Sequence, residues 1–214
     1  MGRRIDLYYM PFSPPCRAVI MTAKLLEVDI NLKFTDLFKG EQNTPEFLKM
    51  NSLHTIPVLD DDGFVLYESR AILRYLANKY GKDDLLYPKD PQKRALVDQA
   101  LDFDMNTFYR PFLIIGYIYC MIGPAPHDEE RFQKVTKSLP ILDDMLKNSD
   151  FVTGKNITLA DISLLAGVSS VNAVGFDIAN YPNIVRWFAN CKQAVPDYQE
   201  LNDNGQKTKV KTNS

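Results

Sequence analysis

The order of strand and helix patterns in the first part of the chain constrains the fold most. Residues 5–9 form a short apolar run that is typical of a strand, and a proline-rich stretch ends it before a helical pattern at 16–26. Pro15 suits the first turn of that helix, where its missing N–H costs nothing. A second strand pattern lies at 29–35 and completes a β–α–β unit.

A hairpin and a further helix follow this unit. Apolar runs at 56–59 and 64–66 flank the sequence Asp-Asp-Asp-Gly at 60–63, and Asp-Gly between such runs is a strong hairpin signal. Glu68 and Ser69 then open a helical pattern that ends at Gly81. The order β–α–β, then β–β–α predicts an α/β thioredoxin-like domain with a mixed four-stranded sheet.

Strand patterns nearly vanish beyond residue 91. A helical pattern spans 92–122, with a kink expected at Pro111, and another spans 129–146, with an interruption expected at Pro140. The remaining part of the chain therefore predicts an all-helical unit.

Two more helices complete this second unit. Thr158 and Asp161 have the spacing of a capping box ahead of the apolar run 162–174, and a last helical pattern spans 182–194. We predict a thioredoxin-like domain at 1–82, a linker at 83–91 and an all-α helical bundle domain at 92–214.

Charge and composition exclude several classes of function. The net charge is −2 and charged residues make up 24% of the chain, so no basic patch for nucleic acid and no polybasic membrane anchor is expected. The odd set Cys16, Cys120 and Cys191 does not suggest a disulfide framework and fits a reducing compartment. Only His54 and His127 accompany them, and no metal-ligand spacing results. We expect a cytoplasmic protein.

The tetrad Ser-Pro-Pro-Cys at 13–16 lies between the first strand and its helix. A redox enzyme of this fold places cysteines at both ends of such a tetrad. Because Ser13 stands at the first position, no internal disulfide can form, but its hydroxyl can donate a hydrogen bond to a substrate thiolate. The pattern alone leaves two alternatives open: Ser13 only caps the helix, and Cys16 is a packed residue rather than a nucleophile.

The energy required of such a hydroxyl is modest. A free thiol has a pKa of ~8.5, so ionisation at neutral pH needs a fall of roughly 2 units, or about 2.7 kcal/mol. A hydrogen bond to a charged acceptor contributes roughly 1.5–3 kcal/mol, and a helix N-terminus adds roughly 0.3–1 kcal/mol. Together these two contributions are large enough to ionise the thiol at neutral pH without a metal or a general base.

The segment 54–57, His-Thr-Ile-Pro, begins the third strand pattern, and Ile56-Pro57 is a candidate cis bond. With that geometry the backbone N–H and C=O of Ile56 would form an unpaired edge to which an extended peptide can add as a strand. The alternatives are an ordinary strand-entry proline and a surface histidine at His54.

The segment 68–70, Glu-Ser-Arg, begins a helix, where free N–H groups bind carboxylates readily. Glu68 can pair with a substrate ammonium while Ser69 holds a carboxylate. The alternative is a simple helix cap followed by a solvated Arg70. A γ-glutamyl tripeptide thiol requires three kinds of contact, and the three segments could supply them. Ser13 would activate the thiol, the Ile56 edge would pair with the peptide backbone, and Glu68 with Ser69 would bind the amino-acid end.

A set of motifs across nearly the whole chain resembles the cytosolic glutathione transferases of the insect delta/epsilon type, and the delta type in particular. The motifs are YYMPFSPPCR at 8–17, HTIP at 54–57, GF at 63–64, ESRAI at 68–72, LYP at 86–88, FDM at 103–105, TLAD at 158–161 and RWF at 186–188.

The resemblance implies a role for each matching residue. Ser13 would hydrogen-bond the glutathione sulfur, and His54 would face the glycyl carboxylate. Ile56 would pair with the cysteinyl unit, and Glu68 with Ser69 would hold the γ-glutamyl group. The implied glutathione-binding residues are Gln42, His54, Thr55, Ile56, cis-Pro57, Glu68, Ser69 and Arg70. Glutathione would be a co-substrate, with no metal or other cofactor, and the family is typically homodimeric.

Three positions depart from the family pattern. Phe12 stands where relatives usually have glycine before the serine, and Pro14 makes a Pro-Pro pair in place of a small residue. Gln42 stands where relatives often have a second histidine for the glycyl carboxylate, so its contact with the carboxylate would carry no charge.

A second substrate would lie between the domains against an apolar wall. The candidate residues are Met10, Phe12, Pro14, Tyr109, Phe112, Leu113, Tyr117, Cys120 and Met121, and those from 109 onward share one helical face. The alternative is that they pack the helical core. Such a wall favours hydrophobic electrophiles, which the thiolate would attack.

Three hypotheses about function follow. The first is a glutathione transferase that conjugates hydrophobic electrophiles for detoxification, with peroxidase activity as a variant of the same thiolate chemistry. The second is a weakly catalytic glutathione-fold protein that carries ligands, which Phe12 and Gln42 motivate. The third is a dithiol oxidoreductase, which Ser13 disfavours.

Overall fold

The computed structural model describes residues 5–113 and 129–203 of the chain. Its first part confirms the predicted order β–α–β, then β–β–α. The elements are β1 (Ile5–Tyr9), α1 (Pro14–Leu25), β2 (Asn31–Phe34), α2 (Pro45–Met50), β3 (Val58–Asp61), β4 (Phe64–Tyr67) and α3 (Ser69–Tyr80), with a 3₁₀ turn at Glu41–Asn43 before α2.

The sheet is mixed and four-stranded, as predicted. Its strand order is β2-β1-β3-β4, in which β1 is parallel to β2 and antiparallel to β3, and β3 is antiparallel to β4. Ile5 and Leu7 on β1 and Leu59 on β3 are buried against α1 and α3, where Val19 and Ile72 belong to the same core. A layer of helix over the sheet thus forms the core of this unit.

The hairpin between β3 and β4 turns on two residues with positive φ. Asp62 has φ 55° and Gly63 has φ 90°, which is the conformation of the tight turns that match strand twist. The Gly63 N–H also donates to Asp60 Oδ1 at 2.8 Å. The third strand begins at Val58 rather than at the predicted residue 56, because Pro57 has no N–H to give to a ladder.

The second part of the chain is helical, as predicted. Its helices are α4 (Pro91–Phe103), α5 (Glu129–Met145), α6 (Leu159–Ala173) and α7 (Pro182–Ala194). After α4 the chain continues as a π turn at Asp104–Tyr109, so the helix changes its geometry before the kink expected at Pro111.

The predicted interruption of α5 at Pro140 is wrong. The helix continues from Glu129 to Met145 with Pro140 inside it and exposed to solvent. Leu139 and Leu142 on either side are buried in the core, and their packing outweighs the backbone hydrogen bond that proline removes.

Helix α6 is the centre of the molecule. All of its residues from Leu159 to Val171 are buried, and it packs against α1 of the first unit as well as against α4 and α7. Because this helix is surrounded by protein on every side, most of its residues have to be apolar, and the run 162–174 accordingly has few polar residues.

The predicted capping box at the start of α6 is confirmed. Asp161 Oδ2 accepts from the Thr158 N–H at 2.8 Å and from the Thr158 hydroxyl at 2.9 Å. Its Oδ1 accepts from the Val152 N–H at 2.7 Å and from Trp187 Nε1 at 2.8 Å. One buried carboxylate therefore joins the start of α6 to the preceding loop and to α7.

Candidate functional site

The register of the sheet brings four loops to one end of it. Tyr8 pairs with Val58, which also pairs with Tyr67, and the neighbouring Tyr9 pairs with Phe34. The chain therefore leaves β1, β2 and β4 at this end and enters β3 there. The loops that meet are 10–13, 35–44, 51–57 and 68–69, and they carry the residues expected to bind glutathione.

Ser13 is the N-cap of α1, with an extended backbone at φ −72° and ψ 113°. Its N–H donates to the Met10 carbonyl at 3.0 Å and its carbonyl accepts from the Arg17 N–H at 3.1 Å. Its half-buried hydroxyl makes no capping hydrogen bond to the helix and instead contacts the thiol of Cys16. The hydroxyl is thus not bonded to the backbone of the helix that it precedes.

Cys16 lies one turn into α1 and is completely buried. Burial raises the pKa of its thiol to about 11, although the Ser13 hydroxyl, the Met10 backbone and the charge of Arg17 all act in the opposite direction. The thiol is therefore neutral at neutral pH, which favours the interpretation of Cys16 as a packed residue.

The Ile56-Pro57 peptide bond is cis, as predicted. Pro57 is buried and Ile56 is half-buried, whereas His54 and Thr55 are exposed. The buried Asn51 side chain donates to the Thr55 carbonyl at 2.9 Å and to its hydroxyl at 3.0 Å. Asn51 thus holds the loop that presents the backbone of Ile56.

Glu68 is exposed at the start of α3 and has φ 69°, a left-handed value that is uncommon outside glycine. Such backbone strain costs about 1–3 kcal/mol and persists where the surroundings require it, often at functional sites. Ser69 follows, buried, and its hydroxyl accepts from Arg70 Nη1 at 2.9 Å.

Arg70 connects this loop to the helical unit. Its Nε and Nη2 donate to Asp104 Oδ2 at 3.0 and 2.5 Å, and the Ser163 hydroxyl donates to the same oxygen at 2.5 Å. The guanidinium also lies 5.0 Å from the centre of the Tyr109 ring. The motif at 103–105 contains Asp104, but spacing along the chain did not indicate that Asp104 or Ser163 meets Arg70, because they do so only when the two units pack.

Gln42 lies in the loop after β2 and is half-buried. Its Nε2 donates weakly to the Leu37 carbonyl at 3.4 Å, and its Oε1 is a buried acceptor without a hydrogen bond from any described residue.

Comparison with known proteins identifies the family. The family model for the glutathione S-transferase N-terminal domain matches residues 7–84, and that for the C-terminal domain matches residues 108–193. A solved delta-class glutathione transferase of Nilaparvata lugens is 52% identical over 95% of both chains, with a TM-score of 0.89. The chain belongs to the glutathione S-transferase family.

Other members of the family have the same architecture. A glutathione transferase of Bombyx mori is 46% identical over 95% of both chains, with a TM-score of 0.90. A homologue from Drosophila mojavensis, solved with bound glutathione, is 35% identical over 96% of this chain and 94% of its own, with a TM-score of 0.89. The predicted resemblance to the insect delta/epsilon glutathione transferases is confirmed.

The residues expected to line the electrophile site of this glutathione S-transferase differ in exposure. Met10, Tyr109 and Phe112 are buried, and Leu113 is 44% exposed. Burial raises the pKa of the Tyr109 hydroxyl, so it stays neutral at neutral pH. Tyr117, Cys120 and Met121 lie outside the described residues.

Phe12 and Pro14, on either side of Ser13, are both half-buried. The Phe12 ring packs on that of Phe38, with 5.5 Å between their centres and 46° between their planes. The ring that replaces glycine here therefore touches the loop that also carries Gln42. The sequence contains no local sign of this pair.

The described residues contain no group of three or more His, Cys, Asp or Glu side chains arranged to hold a metal ion. Over the same residues, no helix combines the length and the apolar character that crossing a bilayer requires.

Proposed function

We propose that this member of the family activates glutathione with Ser13, whose hydroxyl donates a hydrogen bond to the sulfur and stabilises the thiolate. The observation that carries the proposal is the position of this hydroxyl. It stands at the N-cap of α1 without capping it, on a loop that meets the other predicted glutathione contacts. The partial positive charge of the helix N-terminus favours an anion at the same place.

The rest of the tripeptide would lie along the end of the sheet. The Ile56 backbone, before cis-Pro57, would pair with the cysteinyl unit, with Thr55 beside it. Glu68 would bind the γ-glutamyl ammonium, and Ser69 its carboxylate. His54 and Gln42 would meet the glycyl carboxylate; Gln42 Nε2 carries two N–H donors, and its contact to the Leu37 carbonyl, at 3.4 Å, uses one of them.

Arg70 would act differently from the other contacts. Its guanidinium is held by Asp104 and Ser69 and is only 12% exposed in its side chain. We therefore infer that it supports the γ-glutamyl clamp chiefly by fixing Ser69, with any direct contact to glutathione secondary.

The electrophile would bind next to Ser13, against Phe12 and Pro14 from the loop and against the side chains around Tyr109, Phe112 and Leu113. This wall is apolar, so hydrophobic electrophiles are the expected substrates, held close to the thiolate. Conjugation of such compounds corresponds to a detoxifying role in the cytoplasm, and the protein is expected to act as a homodimer, as its class typically does.

A second candidate, a ligand carrier with little turnover, is supported by the Phe12 ring. Because that ring packs on Phe38 and directly precedes Ser13, it would add bulk beside the sulfur that an electrophile has to reach. Binding of ligands without conjugation would favour this candidate.

The deciding experiment measures conjugation of glutathione to a chlorodinitrobenzene by the wild type, Ser13→Ala and Ser13→Thr. Losing one hydrogen bond to a charged acceptor, roughly 1.5–3 kcal/mol, should lower kcat/KM about ten- to hundredfold in Ser13→Ala. Ser13→Thr keeps a hydroxyl and should retain more activity. An unchanged rate in Ser13→Ala would refute the role of Ser13. Absence of turnover in the wild type, with glutathione bound, would favour the carrier.

A further inference from the structure

Arg17 is a buried cation one turn after Ser13 on α1. It is 1% exposed, and its Nη1 donates to the carbonyls of Phe12 at 2.7 Å and Pro11 at 3.3 Å. These are the two peptide groups that lead directly into Ser13. The guanidinium therefore holds the backbone of the loop that presents the hydroxyl.

The other side of the same guanidinium is held by the helical unit. Its Nη2 donates to the Ala166 carbonyl at 3.1 Å and to the Ser170 hydroxyl at 2.5 Å, both on α6. Its Nε donates to Asn202 Oδ1 at 2.8 Å, across 185 positions of sequence. Arg17 thus joins the loop before Ser13 to the central helix and to the C-terminal part of the described chain.

Asn202 lies in a π turn at Gln199–Asp203 and is completely buried. Its Nδ2 donates to the Ser169 hydroxyl at 2.6 Å and to the Tyr198 hydroxyl at 2.8 Å. Because these contacts fix the amide, its oxygen points at Arg17. The C-terminal turn therefore supplies an acceptor whose orientation is set by two other buried side chains.

Among the described residues no carboxylate forms an ion pair with Arg17, and Asp203 is the one acidic side chain that acts on its charge. The titratable groups that face it are Cys16 on its own helix, Tyr109 after α4, and Tyr198 with Asp203 near the C-terminus. Burial raises the pKa of the thiol and of both phenols, so these three are neutral at neutral pH.

Arg17 itself stays protonated in this environment. Burial lowers its pKa to about 10, still well above neutral pH. Its charge acts to lower the pKa of the Cys16 thiol, which is the sulfur that contacts the Ser13 hydroxyl. A substrate sulfur on that hydroxyl would be influenced in the same direction.

We propose that Arg17 and Asn202 are positioning residues for the catalytic serine, through which the C-terminal turn holds the Ser13 loop in place and the buried positive charge of Arg17 favours the glutathione thiolate. This inference rests on the proposed function and deepens it, because it adds two residues that touch neither substrate. It makes the C-terminal turn a part of the active-site scaffold.

The main test compares Asn202→Ala with Tyr198→Phe in the full chain. Asn202→Ala removes the acceptor of Arg17, whereas Tyr198→Phe keeps that acceptor and removes one of the two hydroxyls that orient it. The measurements are the thermal midpoint, the dissociation constant of glutathione by calorimetry, and the pH dependence of the ultraviolet absorbance of the bound thiolate.

In Asn202→Ala the pKa of bound glutathione should rise, moving the acid limb of kcat/KM to higher pH. A rise of about one unit corresponds to about tenfold less thiolate at pH values below both pKa values. The dissociation constant of glutathione should stay within about threefold of wild type, because the other contacts remain. Tyr198→Phe keeps the Asn202 acceptor and its Ser169 contact, so it should shift the pH profile less than Asn202→Ala does.

Three further variants separate the effect of the Arg17 charge from the effect of its hydrogen bonds. Asn202→Asp keeps an acceptor for Arg17 but neutralises its charge, so the thiol pKa should rise although the loop is held. Arg17→Lys keeps the charge and loses most hydrogen bonds, and it should retain more thiolate than Arg17→Met.

The outcomes distinguish the two proposals. If the wild type binds no glutathione or conjugates nothing, the proposed function fails. If the wild type is active but Asn202→Ala and Asn202→Asp both keep its pH profile and kcat/KM, the inference about Arg17 and Asn202 is wrong and the role of Ser13 stands.

Discussion

At the scale of single residues, the neighbours of Ser13 determine what the tetrad at 13–16 can do. The same tetrad contains a hydroxyl on the loop and a thiol within the helix, and only the hydroxyl belongs to a residue that is partly exposed to solvent. Cys16 is completely buried, so its thiol contributes packing rather than nucleophilic chemistry.

The state of Cys16 leads to a prediction about its reactivity. With a pKa of about 11 and no exposure, the thiol should resist alkylation by iodoacetamide at neutral pH while the protein is folded. Mass spectrometry of the peptide that contains Cys16 should show modification only after denaturation. Labelling in the native state at the rate of a free thiol would contradict the buried position. Cys16→Ala should retain most of the activity, because the Ser13 hydroxyl remains.

At the scale of elements, one carboxylate joins β3 to α3. Asp61 Oδ2 accepts from the Tyr75 hydroxyl and from Lys79 Nζ, each at 2.7 Å, and also from the Tyr80 hydroxyl. Burial alone would raise the pKa of Asp61, but the three donors outweigh it and hold the pKa below its ordinary value. Folding is therefore linked to ionisation of this group.

This linkage predicts how stability depends on pH. The pKa of Asp61 is lower in the folded state than in the unfolded state. Ionised Asp61 therefore contributes to the free energy of unfolding above the unfolded pKa of about 4, and this contribution is lost as the pH falls through the pKa of the folded state. Asp61→Asn should unfold more easily at neutral pH and show a flatter loss of stability below about pH 4. Urea unfolding at several pH values measures this.

The exposed Asp62, next in the chain, provides the control for Asp61. Asp62→Asn should keep both the stability and the pH dependence of the wild type, because its side chain lies in the hairpin turn and is exposed to solvent. Equal acid sensitivity in the wild type and Asp61→Asn would show that Asp61 does not carry the effect.

At the scale of the whole molecule, two arginines of the first unit hold it to the helical unit. Arg70 on α3 pairs with Asp104 in the π turn, and Arg17 on α1 contacts α6 and the C-terminal turn. Both arginines also border the loops that carry predicted glutathione contacts. The contacts that hold the two units together therefore also hold the loops of the candidate site.

Removing Asp104 tests this connection. Asp104→Ala leaves Arg70 without a counter-charge at a nearly buried position, and breaking such a pair typically costs about 3–5 kcal/mol. We expect a lower thermal midpoint and a raised KM for glutathione, since Ser69 loses the fixed arginine beside it. Ser163→Ala, which removes one hydrogen bond to the same carboxylate, should have a smaller effect on both. Wild-type stability in Asp104→Ala would contradict the proposed connection.

Much of the fold and part of the site were predictable from neighbouring residues. The turn at Asp62-Gly63, the capping box of Thr158 and Asp161, and the end of α3 at Gly81 all depend on chemistry within a few positions. The Ile56-Pro57 bond was predictable from its place in the motif. Errors arose where packing competes with local preference, as at Pro140, whose helix is held by buried leucines.

The sequence by itself determined the order of the elements, their caps and turns, and the residue types at each loop, because backbone preferences and side-chain periodicity act over short separations. Only the tertiary structure decided which distant groups meet. Arg17 with Asn202, Arg70 with Asp104, and Phe12 with Phe38 are brought together by the packing of α6 and the end of the sheet. A buried charge needs partners in three dimensions, and spacing along the chain does not specify them.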